Sequence, residues 1–108
     1  MKPTLDDWAW VSTMISQAYV GVISSNFKEI SLVAGWNNWI LVVLLFEENE
    51  VDTEEIRDTD SVIDGYLFDI APRLAEGTSR RFKSEVHLEF PTALEALERR
   101  ILFRLRGP

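Results

Sequence analysis

Residues 27–46 read FKEISLVAGWNNWILVVLLF, and the fold turns on how this stretch is read. Trp39 to Phe46 is a continuous apolar run, rich in β-branched and aromatic side chains. Phe27 to Gly35 mixes Ile30, Leu32 and Val33 with polar neighbours. Between the two runs, Gly35-Trp36-Asn37-Asn38 supplies residues that tolerate tight turns. The pattern predicts an antiparallel hairpin. Its second strand has no polar face, so it belongs in the middle of a sheet with cover on both sides. Eight residues are short for a buried helix, and their composition favours a strand.

Working outward, Leu5, Trp8, Val11, Ile15, Ala18, Tyr19 and Val22 recur at three- and four-residue spacing. They predict a helix over about residues 5–22 with one buried face. Thr4 can cap it, with Asp6 and Asp7 near the positive end of the helix dipole. After the hairpin, Ile56, Val62, Ile63, Tyr66 and Ile70 predict a second helix over 52–75, with Pro72 able to kink or end it. Arg80 to Phe90 alternates strictly, with Phe82, Ser84, Val86, Leu88 and Phe90 on the inward side. That is a half-exposed strand stopped by Pro91. Thr92 and Glu95 have capping-box spacing, so Thr92 to Leu97 is read as a helical turn or structured loop. Arg99 to Arg106 alternates again and is read as a last strand, with a short helix as the alternative. The order helix-strand-strand-helix-strand-strand predicts an α+β fold in one domain, residues 1–108. Its four-stranded antiparallel sheet is covered by helices.

The chain has 108 residues, no cysteine and a formal charge of −7. Disulfides, thiolate metal clusters and a cysteine nucleophile are therefore excluded. An acidic chain repels phosphate backbones, so direct nucleic-acid binding is not expected. Asp6 and Asp7 fall where a secretory signal would begin its apolar run, and the longest such run is far below the ~20 residues of a membrane-spanning helix. A cytoplasmic protein without a membrane anchor is the expectation. His87 is the single histidine, on the polar face of its strand, and nearby Ser84 alternates with the inward set and has no nucleophile context. Phosphate loops, paired-histidine motifs and calcium-loop spacing are missing. No enzyme activity, cofactor or metal is expected.

The charge is unevenly placed. Residues 47–69 carry Glu47, Glu48, Glu50, Asp52, Glu54, Glu55, Asp58, Asp60, Asp64 and Asp69, ten acids against Arg57 alone, for a net charge of −9. Such a segment is either a solvated helix face or an electrostatic footprint for a basic partner. Glu54, Asp58 and the preceding turn should share one solvent-facing side. Of the four tryptophans, Trp8 and Trp39 read as core. Trp10 lies off the main apolar stripe and Trp36 lies in the turn, so both are candidate contact residues.

The hairpin and the acidic helix together resemble a group of small bacterial immunity proteins that accompany contact-dependent growth-inhibition and related polymorphic toxins. The resemblance rests on Ser25-Asn26-Phe27-Lys28-Glu29-Ile30, Gly35-Trp36, Phe46-Glu47-Glu48, Thr53-Glu54-Glu55 and the helix from Ile56 to Asp69. The alternating Arg80 to Phe90, Pro91 and basic Arg99 to Arg106 continue it, over about residues 5–106. This chain departs from the pattern at Phe46-Glu47-Glu48, where relatives carry an aromatic-Asp-Gly turn, and in the more helical Thr92 to Glu98. The resemblance implies a binding protein that neutralises a cognate toxin domain, often a basic nuclease. The expected contact residues are Glu47, Glu48, Glu50, Asp52, Glu54, Glu55, Asp58, Asp60, Trp36 and Trp10. A non-enzymatic adaptor with a solvated acidic helix is the alternative.

Overall fold

The computed structural model describes residues 2–78 and 81–105. Its elements are α1 (Leu5–Ala18), β1 (Phe27–Ala34), β2 (Trp39–Leu45), α2 (Glu50–Ile70), β3 (Phe82–His87) and β4 (Arg99–Arg104). Short 3-10 turns at Ala71–Arg73 and Thr92–Leu94 join them. Arg80 and Arg106, the expected outer limits of the last two strands, lie outside the described residues.

The fold is α+β, as the patterning predicts, but the four-stranded sheet is mixed, in the order β3-β2-β1-β4. β1 pairs antiparallel with β2 and with β4, whereas β2 pairs parallel with β3. The expectation of a wholly antiparallel sheet fails for a geometric reason. The 21 residues of α2 span about 30 Å and carry the chain back to the start of β2, so β3 sets off in the same direction. The chain then crosses the face away from the helices to reach β4 on the far edge. All six elements thereby become consistent with one another: the starts of β2, β3 and β4 share one end of the sheet, and their last residues share the other.

β2 is buried along all seven of its residues, as its two-sided apolar character requires. Trp39, Leu41, Val43 and Leu45 join Trp8, Val11, Met14 and Ile15 of α1 and Ile56, Ile63 and Leu67 of α2 in the main core. Ile40, Val42 and Leu44 pack with Val33 beneath Phe90, Leu94 and Leu97 of the crossing segment. The capping-box reading of Thr92 thus corresponds to a 3-10 turn whose Leu94 covers the second face.

Local signals set the boundaries. Thr4 caps α1 with a reciprocal pair of bonds: Asp7 N–H donates to Thr4 Oγ1 at 3.1 Å, and Thr4 N–H donates to Asp7 Oδ2 at 2.9 Å. α1 stops at Ala18, a turn before the expected residue 22, because the chain reverses through Gly21, whose φ of 83° favours glycine. Leu5 is exposed at the helix start, and Met14 takes a core place instead. On α2 the buried stripe is Ile56, Thr59, Ile63 and Leu67, while Val62 and Tyr66 face outward, contrary to the expected pairing. The helix ends at Ile70 and Pro72 sits in the following 3-10 turn. At the hairpin tip no residue is left-handed. Gly35 fits closely there for a different reason: a Cβ would lie 2.6 Å from Asn38 Oδ1 and 3.0 Å from Asn38 O, the oxygen that accepts from Gly35 N–H at 2.9 Å, so the Asn38 side chain would have to shift.

Candidate functional site

α2 starts at the end of the sheet where β2 and β3 finish. In open sheets the crevice beyond the carboxyl ends of parallel strands is the usual place for a ligand, because the connections diverge there. Here the crevice is an open groove of about 530 Å³. Glu48, Glu50, Glu54 and Arg57 form its helix wall. Val86, His87 and Leu88 form its strand wall, with Leu45 between.

The groove is held by a set of side-chain bonds. Asn49 caps α2, accepting from Asp52 N–H at 3.1 Å. Asn26 Nδ2 donates to Glu47 O and to Asp52 Oδ2, each at 2.9 Å, and Asn26 Oδ1 accepts from Glu47 N–H at 3.1 Å. Ser24 Oγ donates to the other oxygen of Asp52 at 3.1 Å. The acidic turn is therefore fixed to the start of β1. On the strand wall, His87 Nε2 and Lys83 Nζ each lie 2.9 Å from one oxygen of Glu85. The hydrogen bond from His87, then that from Lys83, holds the Glu85 carboxyl below its ordinary range.

The expected contact residues divide into three groups. Glu47, Glu48, Glu50, Glu54, Glu55 and Asp58 are exposed, and of these Glu48, Glu50 and Glu54 line the groove. None of them has an ion-pair partner among the described residues. Asp52 and Asp60 belong to the fold instead. Asp52 is buried and spends its two oxygens on Ser24 and Asn26. Asp60 is half-buried against β3 and accepts from Ser84 Oγ at 2.7 Å. Ser84 points inward as the alternation predicts, but it serves this polar contact rather than apolar core.

The tryptophans form the third group. Trp36 is 86 % exposed at the hairpin tip, at the opposite end of β2 from the acidic turn. Seven strand residues, about 20 Å, separate the two. Trp10 sits on α1 with the Arg73 guanidinium 5.0 Å from its ring. The structure does not bring either indole into the acidic groove. Conversely, the strand wall of Val86, His87 and Leu88 was not placed there by sequence reasoning. The missing signal was the parallel pairing of β3, which sets its end beside that of β2.

Asp60 has a testable peculiarity. Its Oδ1 is buried without a hydrogen-bond partner. Burial pushes its carboxyl up, the Ser84 bond opposes this, and Asp64 adds to the rise while Arg57 reduces it. A raised folded-state value favours the protonated form. The associated stability is present below the unfolded value of about 3.9 and is lost as pH rises through the folded one. Asp60→Asn should therefore raise stability near neutral pH, by less than about 1 kcal/mol because the half-exposed group is partly screened. The gain should vanish in acid, as urea titrations at both pH values will show.

Among the described residues no group of three or more His, Asp or Glu side chains could hold a metal ion. No described helix is long and apolar enough to cross a membrane. No protein-family model matches the chain, and no curated protein matches it.

Proposed function

We propose that this chain is a non-enzymatic binding protein of the immunity class, which uses the acidic end of its sheet to neutralise a basic toxin domain in the cytoplasm of the producing bacterium. The toxin domain is proposed to be a nuclease, whose active site or substrate groove is electropositive. One observation supports this reading above the others. Three exposed carboxylates, Glu48, Glu50 and Glu54, line a groove beside Arg57. Glu47, Glu55 and Asp58 are exposed on the adjoining turn and helix, and none of the six forms an ion pair with a described base. Like charges held together in this way repel and lower stability. A basic partner would remove that repulsion on binding. The resemblance of the hairpin and acidic helix to the immunity proteins supports the same reading.

Rim charges chiefly set how fast two proteins meet. Replacing Glu54, Glu55 and Asp58 together with Lys should lower the association rate with a basic nuclease toxin domain by about tenfold or more. It should also flatten the salt dependence of that rate, with the circular-dichroism spectrum unchanged. Protection of cells expressing the toxin should fall in parallel. Unchanged association by a correctly folded triple variant would return the acidic helix to a merely solvated face, as on an adaptor.

A further inference from the structure

The sheet ends in β3 at one edge and β4 at the other, and among the described residues β3 pairs with β2 alone. Open edges invite pairing with another chain, and proteins blunt them with proline, bulges or like charge. β4 is blunted in this way. It carries Arg99, Arg100 and Arg104 and no acid, so a second β4 laid against it meets only like charge. Its register with β1 is also interrupted between Ile30 and Ser31. β3 has no proline, and its register with β2 runs unbroken from Trp39↔Phe82 to Leu44↔His87. Its Lys83 is offset by Glu85 two residues on, so the edge carries both signs.

One bond fixes what the open edge offers. Trp39 N–H donates to Arg81 O at 2.8 Å, so the main chain of Arg81 points at β2. With a period of two, that of Lys83, Glu85 and His87 does the same, and the N–H and C=O groups of Phe82, Ser84 and Val86 point to the open side. Two antiparallel copies of β3 related by a two-fold axis at Ser84 would bond Ser84 to Ser84 and Phe82 to Val86. Lys83 of each copy then stands directly opposite Glu85 of the other, on the face away from the helices and at the closer, non-hydrogen-bonded spacing. The neighbouring registers that keep the edge bonded lose this match: one sets Lys83 against Lys83, the other Glu85 against Glu85. On the helix face, Asp60 is held to Ser84, and Arg57 and Asp64 lie about one turn to either side of it. The two-fold reverses their order, turning Arg57 of one copy towards Asp64 of the other. Arg81 meets His87 at the two ends of the pairing, the one like-sign contact when His87 is protonated.

We propose that the open edge of β3 is a pairing site for a second copy of this chain, antiparallel about Ser84 and selected by the match of Lys83 with Glu85. The pairing joins two four-stranded sheets into one of eight strands. Because the paired strands run in opposite directions, the acidic turns that follow β2 lie at opposite ends of the dimer and do not repel each other closely. The proposal does not rest on the immunity reading.

Sedimentation velocity over a concentration series tests it. The native protein should dimerise as its concentration rises. Lys83→Glu sets acid against Glu85 in both copies, and Glu85→Lys sets base against Lys83. Either change should raise the dimer dissociation constant about tenfold or more, since two cross-strand pairs change sign. An equimolar mixture of the two variants restores opposite charge at both positions and should bring the dimer back, which a misfolded variant could not do. The double variant Lys83→Glu with Glu85→Lys should dimerise like the native protein. A native protein that stays monomeric at every concentration would overturn the proposal, as would a dimer that both single variants leave unchanged. A double variant that stays monomeric with a native circular-dichroism spectrum would overturn the register about Ser84.

Discussion

Trp8→Ala should cost about 3–5 kcal/mol, a large part of the roughly 5–15 kcal/mol that holds a domain of this size together. Trp8 is 2 % exposed, and its ring meets Trp39 edge to face, with centroids 5.1 Å apart and planes at 84°. That geometry sets the positive ring edge against the negative ring face. The Arg100 guanidinium lies 4.9 Å from the Trp8 ring, so the indole is packed by α1, β2 and β4 together. Truncation would open a cavity between the helix and the centre of the sheet, lined by the buried Trp39 ring. In thermal unfolding the midpoint should fall by roughly 15–25 °C. Trp8→Phe should cost much less, because Trp8 Nε1 is buried without a hydrogen-bond partner and no bond is lost with it. A double-mutant cycle with Trp39→Leu should return a coupling of about 0.5–1.5 kcal/mol. A cost below about 1 kcal/mol for Trp8→Ala would mean that the indole is not the keystone of this layer.

The role of these two indoles was legible in the sequence, and the reason is periodicity. Trp8 falls on the three- and four-residue stripe of α1, and Trp39 opens a run apolar on both faces. Patterns of that kind report burial directly, because each side chain's direction follows from its place in the element. The hairpin, both helices and both later strands were readable on the same basis. Strand direction was not. Alternation shows which residues of β3 face inward, but it is the same for parallel and antiparallel neighbours. Only the length of α2 bears on direction, by returning the chain to the sheet's other end.

The same gap limited the reading of the site. The concentration of acid in residues 47–69 is a property of the linear sequence, so the exposed carboxylates were foreseeable. Which of them the fold consumes was not. Asp52 is held by Ser24 and Asn26, residues more than 20 positions away along the chain, and Asp60 by Ser84 on β3. Such contacts leave no local trace. The groove's strand wall depends on where β2 and β3 end, and the open edge on which strand lies outermost. Both become visible only once β3 is known to run beside β2. Trp36 was picked out only by its place in the turn, and the length of β2 sets that turn at the opposite end of the strand from the acids.

Asp7 carries the other large effect, and it came disguised as an ordinary helix-start acid. Beyond its part in the capping box, Asp7 accepts from Ala75 N–H at 2.9 Å through Oδ1 and from Thr78 Oγ1 at 2.7 Å through Oδ2. One carboxylate thus fixes both the start of α1 and the loop that leads from α2 towards β3. Burial pushes this carboxyl up, but the bonds from Ala75, Thr4 and Thr78 outweigh it and hold the group below its ordinary value. Asp7→Ala would remove a cap, typically about 1 kcal/mol, and strand buried donors at about 1–3 kcal/mol each. The expected loss is about 3 kcal/mol near neutral pH. Because the folded-state value is depressed, the ionised form is the one the fold favours. Its contribution is present above the unfolded value of about 3.9 and disappears as pH falls through the folded one. The difference in urea stability between the native protein and Asp7→Asn should therefore be widest above about pH 5 and narrow in acid. That trend is opposite in sign to the one expected at Asp60, where the native protein gains on its Asn variant as pH falls. Here the native protein gives up an advantage, whereas at Asp60 it sheds a penalty. Measuring both variants across one pH series separates the two carboxylates, and a pH-independent Asp7→Asn difference would show that the bonds to Ala75 and Thr78 do not depend on charge.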